Sequence, residues 1–278
     1  MTVSFELVDR RLKHADNQIN ALEHAYRGFL PKLKDHRIVV KPNAISGAQE
    51  AKIRFSWSVP DSWGLMVGEI MHHLRSILDN AVWQLVLANN GVPNQSTEYP
   101  IAKDTEWFTT RAPKKLRGVS AEAYALIEKL QPYSRPDIPY SQHPLWLIHE
   151  LDIIDKHQVV HVAAVVPALG RWTSDKAHVD AGMTVRLWFR PLEDGTPIME
   201  FMFERPCDVP VKMQGKATLA VNILETERTP YLDFPDFLRT AHRTTSQVVD
   251  RLRPALKSGQ LNHPAMAGRD GRGDYPAR

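Results

Sequence analysis

The feature that most constrains the fold is a long helical pattern over residues 62–89. Asp61 or Ser62 can cap the start of a helix, and the Asn89-Asn90-Gly91 sequence favours a helix end after Ala88. At about 100° per residue, apolar side chains gather in one arc of this helix: Ile70, Leu74, Ile77, Leu78, Ala81 and Leu85. A helix with so continuous an apolar face must pack against a core, so we expect it at the centre of the fold.

The other side of this helix carries a line of ionisable side chains, His72, Arg75 and Asp79. Trp83 and Val86 share that side, which indicates that another element covers it. A covered charge has to be paired, because leaving it unpaired costs on the order of several kcal/mol. We therefore expect a partner for this line elsewhere in the chain.

The matching segment is residues 144–157, which Pro144 opens as a second helix that runs to about residue 156. His149, Asp152 and Lys156 fall on one face of it. Asp155 falls in its apolar arc, where a carboxylate needs a cation such as Arg75. If the two helices pack antiparallel, their seam collects seven groups: His72, Arg75, Asp79, His149, Asp152, Asp155 and His157.

This cluster has three interpretations. In the first, it is a buried network of ion pairs that fixes the position of two core helices. In the second, His149, Asp152 and Asp79 bind a divalent metal, which prefers imidazole and carboxylate ligands, although the spacing departs from signatures such as His-Glu-x-x-His. In the third, His72 or His157 acts as a general acid or base beside a carboxylate, and Arg75 binds phosphate.

The remaining patterns predict an α+β protein, with a long central helix packed on the second, polar-cluster helix and amphipathic helices at both ends. The first of these covers residues 4–27 and is expected to end at Gly28 and Pro31. Its neighbourhood contains three histidines among charges, which we expect to be exposed: His14, His24 and His36. The other predicted segments are irregular chain over 92–118, a short helix over 120–130 and a last helix over 234–256.

Alternating residues predict strands over 37–41, 52–58, 159–166, 183–190, 198–204 and 211–223. The first two form a β-hairpin. The last four form an antiparallel sheet in the second half of the chain, and pairing of the hairpin at its edge would extend this sheet. We expect residues 1–256 to form one domain and residues 257–278, rich in Gly, Pro and charge, to be a flexible tail.

Composition bounds the class of protein. An apolar fraction of 43% supplies a core, and a single cysteine, Cys207, favours a reducing compartment. The N-terminus lacks a signal-peptide pattern, and no apolar run is long enough for a membrane span, so we expect a cytoplasmic protein with no membrane partner. A net charge of +3 neither requires nor excludes nucleic acid. One basic cluster follows Trp107 and Phe108 and consists of Arg111, Lys114, Lys115 and Arg117. Cations beside aromatic rings are typical of a surface that binds phosphates and bases, and the same residues also suit a solvated loop.

Residues 68–85 and 143–157 resemble a family of uncharacterised proteins from actinobacteria and their phages. That resemblance covers residues 60–165 and implies no established activity. The pattern around Arg75, Leu-Arg-Ser-x-Leu-Asp, also resembles the motif of HEPN-type ribonucleases, helical proteins in which an arginine and a following histidine of paired subunits cut RNA without metal. Arg75 matches the arginine, but Asn80, Ala81 and Val82 stand where the histidine is expected.

The HEPN resemblance implies a nucleic-acid- or nucleotide-directed protein, a nuclease linked to phage conflict that works as a homodimer. Its catalytic residues would be Arg75, His72 and His157, with either His72 or His157 in space as the substitute for the missing histidine. The sequence leaves two other classes open. One is a metal-dependent hydrolase that uses a divalent metal. The other is a non-enzymatic binding or assembly protein in which the cluster is structural.

Overall fold

The long helix predicted from the apolar pattern is present as α2, Ser62–Ala88. The computed structural model describes residues 3–43, 46–168, 171–188, 190–214, 217–224 and 232–261. Every residue of the predicted apolar arc of α2 is buried, from Ile70 to Leu85. Three further helices contact α2: α1 (Glu6–Leu33), α5 (Pro144–Asp155) and α7 (Asp236–Leu261). Helix α2 is therefore the central element, as predicted.

Helix α1 packs antiparallel to α2. Ser4 N donates to Gln84 Oε1, and Arg11 donates to the Ser76 hydroxyl one-third of the way along the pair. Near the other end of the pair, the Gln18 side chain donates to Glu69. Successive contacts therefore move toward the start of α2 as they move toward the end of α1, which is the antiparallel arrangement.

The first helix is longer than the sequence predicts. It passes through Gly28 and Pro31 and ends at Leu33. Phe29 and Leu33 are both buried, at 5% and 4% exposure, so tertiary packing of the last turn outweighs the local signals for a helix end. His36, expected to be exposed, is buried after this helix, and its Nδ1 donates to Leu33 O.

The prediction of irregular chain over 92–118 is wrong, because α3, Thr105–Lys115, lies within it. The Asp104 side chain caps α3 by accepting from Trp107 N, and Phe108 and Ala112 bury one face. The sequence does not predict this helix because it contains Pro113 and has only a short apolar stripe. The next helix, α4 (Ala121–Lys129), confirms the predicted helix over 120–130.

The predicted hairpin is present and belongs to a larger sheet. Strands β1 (Arg37–Pro42) and β2 (Gln49–Arg54) pair antiparallel. Two later strands, β5 (Thr184–Leu187) and β6 (Pro197–Met202), complete a four-stranded sheet in the order β1-β2-β6-β5. Residues of β2 and β6 that face the helices, such as Ile53 and Phe201, are fully buried.

The remaining strands form two smaller antiparallel sheets. One has β3 (Val162–Ala168), β8 (Thr218–Ile223) and β9 (Leu232–Asp233), and the other pairs β4 (Arg171–Thr173) with β7 (Lys212–Gln214). The grouping of the four late strands into one sheet is therefore wrong, and the run predicted over 211–223 is divided. Gly215 interrupts that run in the sequence, where glycine weakens a strand. A short helix, α6 (Lys176–Asp180), precedes β5.

The C-terminal amphipathic helix is confirmed as α7 and extends past its predicted end to Leu261. The remainder of the expected flexible tail, residues 262–278, lies outside the described residues. A domain that spans residues 1–256 stays a prediction, and buried side chains of α1, α2, β2, β6, β8 and α7 belong to one core cluster. No helix within the described ranges combines the length and apolar character that crossing a bilayer requires.

Candidate functional site

Two glycines bring the predicted polar helix against α2. Gly64 and Gly68 lie two turns and one turn before His72, respectively, on the same stripe of α2. A Cβ at Gly64 would lie 2.2 Å from Val160 O, and a Cβ at Gly68 would lie 1.7 Å from an Asp155 carboxylate oxygen. Since larger residues would hold the segment away, this stripe allows α5 to pack antiparallel and close to α2, which is the arrangement that the predicted seam requires.

One turn further along α2, the close approach forms a pair between His72 and Asp152. His72 Nδ1 donates to Asp152 Oδ1 at 2.9 Å, and Lys156 Nζ donates to the other oxygen at 2.7 Å. The Asp152 side chain is 2% exposed, whereas that of His72 is 56% exposed. Because an ionised carboxylate only accepts, the bond places a ring hydrogen on Nδ1, and in the neutral form of the imidazole the lone pair is then on Nε2.

The His72 ring opens onto a groove of about 360 Å³ between α1 and α2. Its lining consists of guanidinium, imidazole and hydroxyl groups, and none of these described side chains is acidic: Arg10, Arg11, His14, His72, His73 and Ser76. Guanidinium groups present several fixed donors and keep their charge at any physiological pH. The groove therefore suits an anionic ligand, phosphate in particular.

A second imidazole of the groove, His73, is also held by an acceptor. His73 Nδ1 donates to Gln18 Oε1 at 2.8 Å, and the Gln18 amide nitrogen donates to Glu69, which fixes the orientation of the amide. The His14 ring meets the His73 ring edge-on, with centroids 5.1 Å apart. Burial, followed by the neighbouring His14 and His72, lowers the pKa of His73, so this imidazole is neutral at pH 7.

Arg75 belongs to a different network, on the side of α2 that the loop before α3 covers. Its side chain is 8% exposed and pairs with Asp79 at 3.1 Å and with Glu98 at 3.5 Å. Lys115 also pairs with Glu98, and Asp79 accepts from Tyr99 N at 2.8 Å. Burial raises the pKa of Asp79 although Arg75 opposes that shift. These contacts hold the Arg75 guanidinium against carboxylates of the same chain, and its predicted phosphate-binding role stays a prediction.

The expected pairing of Arg75 with Asp155 is wrong. Asp155 instead lies against Gly68, where burial raises the pKa of its carboxyl and the nearby His72 opposes that rise. The glycine at position 68 provides the space that a carboxylate in the apolar arc of α5 needs. Asp155 is half-buried, so water also reaches it.

The hydrogen bond between His72 and Asp152 does not include the other two predicted histidines. His149 is half-buried, with its ring against Trp146, and its Nδ1 has no hydrogen-bond partner among the described residues. Burial, followed by the charges of Arg75 and Lys115, lowers the pKa of His149 to about 4. His157 is exposed in the turn after α5.

The three residues predicted to bind metal therefore have different surroundings. Asp79 pairs with Arg75, and Asp152 pairs with His72 and Lys156. Across the part of the chain that the structure describes, no group of three or more His, Cys, Asp or Glu side chains is arranged to hold a metal ion. Asp79, Asp152 and His149 are thus not brought together as a ligand set.

Three cations of the predicted phosphate-and-base surface, Arg111, Lys114 and Lys115, lie on α3, and Arg117 follows the helix. Arg111 and Lys115 both place their cations over the Trp107 ring, 5.5 and 5.6 Å from its centroid. Phe108 is fully buried, so it offers no face to a base. Lys115 also pairs with Glu98, so Arg111 and Lys115 of this cluster already have contacts within the chain.

The groove residues that sequence reasoning missed are Arg10, Arg11, His14, His73 and Ser76. His14 is exposed as expected, yet it lines the groove because α1 lies antiparallel beside α2. The available signals were the four-residue spacing of His72 and Ser76 and the Arg10-Arg11-x-x-His14 pattern, which places basic groups on one side of a helix.

Two histidines of the α5 region, the buried His143 and the half-buried His149, lead to a prediction about acid stability. His143 caps α5 by accepting from Leu145 N at 3.2 Å, and burial lowers its pKa to about 4, the same value as for His149. The unfolded chain binds these protons near pH 6.5, so the free energy of unfolding should fall as the pH decreases from about 6.5 to about 4. Each imidazole should contribute about 2–3 kcal/mol to that fall.

Urea unfolding followed by tryptophan fluorescence across this pH range measures the effect. His143→Asn keeps a side-chain acceptor that can cap α5. Both His143→Asn and His149→Gln should make the free energy of unfolding less dependent on pH. His24→Gln, at an exposed position of α1, is the matched control and should leave it unchanged. Equal slopes in all four proteins would contradict the assignment.

Comparisons with known proteins give no match. No family model, no curated protein and no solved structure matches this chain. The resemblance to HEPN-type ribonucleases, the nucleic-acid partner and the homodimer therefore stay expectations, and a functional proposal has to start from the geometry of the groove.

Proposed function

We propose that this chain is an RNA-cleaving enzyme that uses imidazole acid–base chemistry in the groove between α1 and α2. The observation that carries the proposal is the hydrogen bond from His72 Nδ1 to the buried carboxylate of Asp152, at the edge of a groove without acidic side chains. A carboxylate that orients an imidazole and leaves Nε2 toward an anion-binding groove is the arrangement that a general base needs.

RNA suits this groove because it carries its own nucleophile. His72 Nε2 takes the proton from a ribose 2′-hydroxyl, and the 2′-oxygen forms a bond to phosphorus as the bond from phosphorus to the 5′-oxygen breaks. A protonated imidazole at the rim, His14, gives its proton to the departing 5′-oxygen. The products are a 2′,3′-cyclic phosphate and a 5′-hydroxyl, and the step needs neither water nor a redox partner.

Arg10 and Arg11 supply the phosphate contacts. Arg10 is largely exposed and pairs only with Glu6 within the described residues, an exposed contact that a phosphate can replace at little cost. Arg11 donates to the Ser76 hydroxyl, which places its guanidinium within the groove. The phosphate-binding role predicted for Arg75 thus passes to two arginines of α1, because Arg75 is buried and paired with carboxylates.

Cleavage of a 5′-labelled RNA in excess EDTA tests the proposal. The expected result is fragments that end in a 2′,3′-cyclic phosphate, with no cleavage of DNA or of 2′-O-methyl RNA of the same sequence. The absence of cleavage for single-stranded and structured RNA alike would overturn it. Cleavage that appears only when a divalent metal is added, and leaves 3′-hydroxyl ends, would instead support the metal-dependent alternative.

A further inference from the structure

One face of the four-stranded sheet is lined with cations. In β2, Gln49, Ala51 and Ile53 are buried, so Lys52 and Arg54 lie on the opposite face. The antiparallel register pairs Arg37 with Arg54, Val39 with Lys52 and Lys41 with Glu50. The side chains of β1 and β2 on this outer face border one groove of about 400 Å³: Arg37, Val39, Lys41, Lys52 and Arg54.

These cations are only partly neutralised within the chain. Lys52 pairs with Glu50 at 2.9 Å and Arg54 with Asp194 at 2.9 Å. Arg37 and Lys41 are exposed and form no ion pair with any described residue. Arg37 also lies directly opposite Arg54, and like charges in that position destabilise a sheet. An anionic ligand would remove this repulsion.

The other edge of the sheet adds an aromatic group to the same face. Arg186 of β5 lies opposite Glu200, and Trp188 and Arg190 continue the two-residue alternation beyond the strand. The Arg190 guanidinium lies over the Trp188 ring, 5.0 Å from its centroid. Arg190 also contributes to lowering the pKa of Glu50, after Lys52 and Asn43, so its charge lies within electrostatic range of that carboxylate.

We infer that this outer face of the sheet is a binding surface for single-stranded nucleic acid. It carries six cations against three carboxylates: Arg37, Lys41, Lys52, Arg54, Arg186 and Arg190 against Glu50, Asp194 and Glu200. Phosphates match the cations without an ion pair, and the Trp188 and Arg190 pair offers a flat surface on which a base can stack. An acidic peptide would use the charges but not the stacked pair.

The inference does not depend on the proposed RNA cleavage. Helix α1 runs for roughly 28 Å from His14 to Leu33, just before β1, so the two surfaces are separate. A fluorescein-labelled oligothymidylate is therefore a suitable probe, because it has phosphates and bases but no 2′-hydroxyl that the groove could activate. Failure of this probe to bind would overturn the sheet surface and leave the cleavage test unaffected.

Fluorescence anisotropy with the probe at low salt measures the affinity. The Arg37→Gln/Lys41→Gln variant is expected to bind about tenfold more weakly, with the slope of log K against log salt reduced by about 1.4 for two lost phosphate contacts. Arg27→Gln/Lys176→Gln removes the same charge from exposed positions elsewhere and should bind like the unmodified chain. An equal loss in both variants would mean that net charge alone drives binding, which overturns the proposal.

Variants of Trp188 distinguish the contribution of base stacking to probe binding from the contribution of charge. Trp188→Ala should weaken probe binding about tenfold with the salt slope unchanged, and Trp188→Phe should retain most of the affinity. Unchanged binding in Trp188→Ala, or tighter binding of a duplex of the same sequence or of polyglutamate than of the oligothymidylate, would contradict a single-strand surface. Circular dichroism of each variant establishes that the fold is retained.

Discussion

His72→Gln is expected to slow metal-free RNA cleavage by about 10²- to 10⁴-fold, the range typical of a lost general base. Glutamine retains a polar side chain of similar reach, but it has no group that takes up a proton near neutral pH. More than half of the His72 side chain is exposed, at 56%, so the fold should tolerate the change. Single-turnover cleavage rates, measured beside urea unfolding of the same protein, separate an effect on chemistry from an effect on stability.

Asp152→Asn tests whether the carboxylate acts through His72. The amide can accept from Nδ1 or donate to it, so the imidazole is no longer held in one tautomer, and the charge beside it is lost. We expect a smaller loss of cleavage rate than in His72→Gln, together with a shift in the pH profile of the rate. A merely structural role of Asp152 would not shift that profile. His24→Gln, on the exposed side of α1, is the control and should cleave at the normal rate.

The same assay compares the two assignments of the catalytic histidine. His157→Gln removes the exposed histidine that is the other candidate substitute for the missing HEPN histidine, and we expect this variant to retain cleavage. Full activity in His72→Gln together with loss of activity in His157→Gln would reverse the assignment and remove the groove from the mechanism.

The sequence predicts the helical centre well because its information there is local. The apolar arc of α2 and the proline-opened α5 follow from periodicity and caps, and both helices are present. Their antiparallel seam, with His72 beside Asp152, follows from matching polar faces. Gly64 and Gly68 on the same stripe were a further signal, because small residues mark a close approach.

Long-range pairing is what the sequence does not provide. The groove exists because His14 of α1 meets His73 of α2, and no local pattern fixes the register of two helices so far apart in the chain. For the same reason the strands were found but their grouping into sheets was not. The sequence pattern predicts Asp155 as the partner of Arg75, whereas Arg75 pairs with Glu98 and with Asp79, four residues away on the same helix.

Arg75→Ala is expected to lower the free energy of unfolding by about 3–5 kcal/mol, because it leaves the carboxylate of Asp79 without its cation in a largely covered site. The value should lie near the lower end, since Asp79 and Glu98 keep 31% and 38% side-chain exposure and can be partly rehydrated. Urea unfolding at pH 7 measures the change. Arg27→Ala breaks a pair of the same helical spacing, with Glu23, where the arginine is 69% exposed, and should cost about 0.5 kcal/mol or less.

A variant without both charges distinguishes the contribution of the ion pair to stability from the contribution of the lost packing. In the Arg75→Met/Asp79→Asn variant no charge is left without its partner, and the asparagine oxygen can still accept from Tyr99 N, as Asp79 does. We therefore expect the double variant to be more stable than Arg75→Met alone. The contrary outcome is an Arg75→Ala variant that has the same free energy of unfolding as the unmodified chain but no longer cleaves RNA. In that case Arg75 is a catalytic residue, as the resemblance to HEPN-type ribonucleases implies. The arginines of α1 are then not the phosphate-binding groups.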